Sequence, residues 1–163
     1  MKALSSAVVA LALILVATAA APGLRAETPD EQAKACGGIP LTTGLLDKMD
    51  AFLKGMSSDA AAKAELTEIN KDPAAGTTPE GWVAAINSKC PKTAANLKAA
   101  GLSADDFAKG EFALMGCSMS EDLVKSADAT VKANAEFVKA NNDRATQTFK
   151  NFIELTNPFE EKK

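Results

Sequence analysis

Seven apolar residues, Leu41, Leu45, Leu46, Met49, Phe52, Leu53 and Met56, recur at i, i+4, i+5, i+8, i+11, i+12 and i+15. That spacing lines one face of an α-helix. Similar stripes follow along the chain, and no run of β-branched residues alternates with polar ones as a strand requires. Ala62, Leu66 and Ile69 mark a second helix, stopped by Asp72-Pro73, and Thr78-Pro79 opens a third carrying Trp82, Val83 and Ile86 inward. Pro91 starts a short helix that ends at Gly101-Leu102 in a Schellman pattern, and Ser103 caps the next. That helix, 104–117, is apolar or small nearly all round, with Lys109 and Glu111 the exceptions past its first turn. Ser118-Met-Ser-Glu121 reads as a further capping box. It opens a run through Leu123, Val131, Val138, Phe149 and Phe152, which would be roughly 50 Å long if unbroken, so a break is expected near Ala133-Asn134 or Asn141-Asn142.

The fold class read from these signals is all-α, a compact bundle of five to six helices spanning 41–156. Residues 27–40 form a loose leader, and 157–163 a polar tail. Met1–Ala26 has a charged start at Lys2, an apolar run over 7–21 and a small-residue exit, the grammar of a secretory signal peptide. The apolar run is short of the ~20 residues that span a bilayer. Cleavage after Ala26 fits best, with Ala19 or Ala20 as alternatives. Cys36 lies too far from the run, behind Ala33-Lys34-Ala35, for a lipoprotein signal. The expected location is the periplasm or the extracellular medium, with no membrane span after cleavage.

Composition then excludes function classes. Processing at Ala26 removes Lys2 and Arg25, leaving 16 − 21 = −5 as the net charge and Arg144 as the one arginine. Nucleic acid and anionic lipid are poor partners for such a chain. The sequence has no His, so it lacks the usual general base, the usual zinc ligand and the usual pH switch. No nucleophile–base constellation and no Gly-rich phosphate loop occur. The reading is therefore non-enzymatic, with no cofactor implied. Asp105-Asp106 and Glu121-Asp122 sit in first helical turns, where acids complement the macrodipole. Trp82 reads as a core anchor and Arg144 as a solvated surface charge.

Three cysteines in an oxidising compartment allow one bridge with one thiol over. An antiparallel hairpin of the 91–100 and 104–117 helices would bring Cys90 to Cys117, closing a loop that contributes ~3 kcal/mol. Cys36–Cys90, which would pin the leader, is the second choice, and buried reduced thiols are the third. Met115, Cys117 and Met119 form a soft set suited to copper(I). Cys117, however, points about 200° away from Met115 on a helix, so no metal is favoured there.

The stretch PKTAANLKAAGLSADDFAKGEFALM, with LTTGLLDKMDAFL upstream, resembles a loose group of small, Ala-rich, exported helical proteins of Gram-negative bacteria. These share a helix ending in an L-K-A-A-G-L turn followed by Ser/Thr-capped, Phe-containing helices. The resemblance covers roughly 41–155 and implies export and a helical fold; the group has no established function, so no site residue comes with it. The expected function is a protein- or small-apolar-ligand-binding module, and the alternative is a copper-handling protein built on Met115, Cys117 and Met119.

Overall fold

The computed structural model describes residues 28–72, 75 and 78–156. The expected signal peptide and the 157–163 tail lie outside them. Among the described residues there are helices and turns and no strands. The helices are α1 (Pro29–Cys36), α2 (Thr43–Ser57), α3 (Ala60–Lys71), α4 (Pro79–Lys89), α5 (Pro91–Ala99), α6 (Ala104–Met119), α7 (Ala129–Ala140) and α8 (Asn142–Thr156), with a 3-10 helix at Glu121–Lys125 before α7. No helix among these residues is long and apolar enough to cross a membrane.

Short polar side chains start most of these helices by accepting a first-turn N–H. Leu45 N donates to Thr42 Oγ1 at 3.1 Å, Gly81 N to Thr78 Oγ1 at 3.1 Å, and Asp106 N to Ser103 Oγ at 3.0 Å. The turn after α5 is the expected Schellman stop. Leu102 N donates to Leu97 O at 2.9 Å, Gly101 N to Lys98 O at 3.1 Å, and Gly101 takes a φ of 71°. Cap chemistry also moves two expected boundaries. Ser118 does not start a helix: α6 runs on to Met119, and the Ser118 hydroxyl donates back to Leu114 O at 2.7 Å. The long C-terminal run is divided at Ser120, at Ser126–Asp128 and at Asn141, whereas Ala133-Asn134 lies inside α7. These divisions give more helices than the five or six expected.

The leader is the larger correction. Residues 29–36 are not loose. They form α1, opened by a capping box in which Glu31 N donates to Thr28 Oγ1 and Thr28 N to Glu31 Oε2. Helix α1 lies against α6 at Gly116. A Cβ built on Gly116 would fall 2.7 Å from Gln32 O and 2.8 Å from Cys36 N, so only glycine admits the α1 backbone there. Gly116→Ala should lower the unfolding free energy by roughly 1–3 kcal/mol, despite alanine's intrinsic helix advantage of about 1 kcal/mol. Gly110 in the same helix is the comparison, because its Cβ would meet the flexible Met49 side chain rather than backbone. Urea denaturation of both variants checks the contrast, and equal stability of the two would remove this account of α1 docking.

The centre of the bundle is aromatic. Phe52 of α2 and Phe107 of α6 meet edge-on with ring centroids 4.6 Å apart; Trp82 of α4 lies 6.4 Å from Phe107, and Phe152 of α8 lies 5.4 Å from Trp82. Trp82 is buried, as its helical spacing suggests.

Candidate functional site

The pairing of α3 with α4 leaves a groove because their facing residues are small. Ala61 and Ala64 of α3 and Ala85 of α4 face a space of about 600 Å³, floored by Ile69, Ala85 and Cys90. The volume falls within the span of small-ligand sites, about 300–1,000 Å³, although Ala61 and Ala64 are exposed and the groove is open to solvent. Its rim is charged and internally paired, Lys71 with Glu68 at 2.7 Å and Lys89 with Asp72 at 3.9 Å. With Glu65 the lining charges sum to 2 − 3 = −1, and the apolar floor suits an apolar ligand better than an anion.

Glu65 shapes one end of this groove. Cys90 precedes α5 but caps nothing, so Glu65 reaches across from α3 and accepts from Lys92 N at 3.2 Å, Thr93 N at 2.8 Å and the Thr93 hydroxyl at 2.9 Å. A carboxylate at a helix N-terminus is favoured by the orphan N–H groups and the macrodipole. Burial, reinforced by the Glu65 charge, pushes the Cys90 thiol above its ordinary range. That is the environment of an inert cysteine rather than a nucleophile.

The disulfide joins Cys36 to Cys117, and Cys90 is the free, buried cysteine. Both expected pairings, Cys90–Cys117 and Cys36–Cys90, are therefore replaced. The expected hairpin does not form: α5 packs chiefly on α2, α3 and α4 and touches α6 little, and α6 packs on α1 instead. Cys90 instead sits against Glu65 of α3. The bond also takes the thiolate out of the Met115, Cys117 and Met119 set, whose two methionines are half-buried. Among the described residues no three His, Cys, Asp or Glu converge as metal ligands.

The acidic pairs at the helix starts do what their positions suggest. Asp106 accepts from Ser103 at 2.8 Å, Asp105 pairs with Lys109 at 2.9 Å, and Asp122 pairs with Lys125 at 2.7 Å. Arg144 departs from its reading as a solvated charge. It clamps α8 to α2, with Nη2 2.6 Å from Asp47 Oδ1 and 2.9 Å from Asp50 Oδ2. The Thr148 hydroxyl donates to the other Asp50 oxygen at 2.6 Å.

Near this clamp lies Glu111, which the sequence marks only as a charge in an apolar helix. It is 4% exposed, and neither carboxyl oxygen has a hydrogen-bond partner. Burial first, and then the Asp50 charge, hold its carboxyl well above the ordinary range. Glu111 does not line the α3/α4 groove, so it offers no acid or base to a ligand bound there. No protein-family model matches the chain, and neither does any curated protein or solved structure.

Proposed function

We propose that the chain is a small exported, non-enzymatic helical module that binds a small apolar ligand, or a short apolar segment of a partner protein, in the α3/α4 groove. The observation that carries this reading is the groove itself, with Ala61 and Ala64 on its α3 side, a buried apolar floor, and a rim in which Lys71 and Lys89 are paired with Glu68 and Asp72. The signal-like N-terminus supports a periplasmic or extracellular setting, where an intramolecular disulfide persists. The resemblance to exported Ala-rich proteins points the same way. The copper alternative would first need the Cys36–Cys117 bond reduced.

Filling the groove tests the reading. Medium-chain fatty acids and alkyl alcohols, offered to the purified protein, should raise its Tm. At 100 times Kd the gain is about 2.7 kcal/mol. Ala64→Leu together with Ala61→Leu should abolish that gain while leaving the unliganded fold intact. Equal ligand-induced shifts in wild type and double variant would exclude the groove.

A further inference from the structure

We propose that Glu111 is a proton-controlled latch: the bundle stays closed around α6 while this carboxyl holds a proton, and loosens there when the proton leaves to solvent. The position supplies the reason. Glu111 follows Phe107 by one turn and precedes Leu114 by three residues, both fully buried, so it lies on the inward stripe of α6. Both its oxygens are enclosed without a donor. A carboxylate in such a place keeps its charge without water or counter-ion, whereas a carboxylic acid loses far less on burial.

The nearest charge opposes ionisation further. Asp50 of α2 acts on Glu111, and the Asp50 oxygens are already taken by Thr148 and Arg144. Arg144 is turned toward Asp47 and Asp50, and Lys109, two residues from Glu111, pairs outward with Asp105. The other charged residues of α1, α2, α4, α5, α7, α8 and the 3-10 helix are exposed at the surface. Among the described residues no cation therefore stands ready to take up a Glu111 carboxylate.

The direction of the switch follows. The closed form binds a proton that the open form releases, so closure is fully favoured below the ordinary Glu value of 4.5. It weakens as pH climbs from there through Glu111's own higher value. The chain has no His to titrate in the same interval. It also carries its own reporter, since its single Trp, Trp82, packs on Phe107 one turn from Glu111.

Urea denaturation of the full chain, followed by Trp82 fluorescence from pH 4 to 9, reads the latch. In wild type the folding equilibrium constant should fall tenfold per pH unit across part of this range, the signature of one proton. Glu111→Gln should remove that slope, and Glu111→Met, which needs no hydrogen bond, should remove it as well if the amide is poorly tolerated. Asp50→Asn should leave the onset of the slope in place and move its upper end, where Glu111 ionises in the folded chain, to lower pH, because the opposing charge is gone. A wild type whose stability is flat above pH 4.5, or a slope of equal size in both Glu111 variants, overturns the proposal.

Discussion

Replacing Cys36 and Cys117 together with Ala should lower the unfolding free energy by about 4 kcal/mol. For a domain of this size that corresponds to a Tm lower by roughly 10–20 °C. The bond closes a loop across a sequence separation of 81, and the chain entropy it removes from the unfolded state grows with the logarithm of that length. The native state gains in a second way. Helix α1 has only eight residues, far fewer than an isolated helix needs in water, and among its described side chains, 30–36, Cys36 alone is fully buried. Without the bond, α1 should be the first element to come away, exposing the Gly116 face of α6. Thermal unfolding of the oxidised wild type against the double Ala variant measures the first effect. Proteolysis within 29–36 should accelerate in the variant before the rest of the bundle is cut. A loss below 1 kcal/mol would show that packing alone holds α1 in place.

The same helix shows where local signals stop being informative. Thr78-Pro79, Ser103 and the Gly101-Leu102 stop act within five residues of themselves, so they are readable in one dimension and lie where the structure has them. The Thr28…Glu31 capping box is an equally local signal for α1, but half of the segment after it, PDEQAKAC, is polar, and its other residues include no large apolar side chain to mark a stripe. What makes it a helix in the fold is contact with Gly116 and Cys117, 80 or more positions away. The cysteine pairing is hidden for the same reason, since it depends on which helix α6 meets along its far half. Glu111 is half legible: a charge within an apolar helix stands out in the sequence, but the absence of a partner exists only once α2 and α8 are in place. The groove is illegible because Ala61, Ala64 and Ala85 read equally well as ordinary helix-forming residues.

Asn134→Leu, close in volume but without polar atoms, should cost roughly 3–4 kcal/mol, because it strips three partners from buried main chain. Asn134 of α7 is 2% exposed. Its amide donates to Cys36 O at 2.6 Å and to Ile39 O at 2.7 Å, and its oxygen accepts from Leu41 N at 2.8 Å. A single side chain thus satisfies the turn that links α1 to α2, which has no secondary structure of its own to do so. Asn134→Asp keeps the shape but turns both donors into an acceptor facing two carbonyls, so it should be at least as damaging at neutral pH. Denaturant unfolding of the two variants separates the explanations: if Leu is tolerated within 1 kcal/mol, packing rather than hydrogen bonding fixes the turn. Because Asn134 holds the carbonyl of Cys36 itself, its cost should shrink in the protein lacking the disulfide. There α1 is already free to leave, and two contacts that secure the same turn cannot both lose their full value.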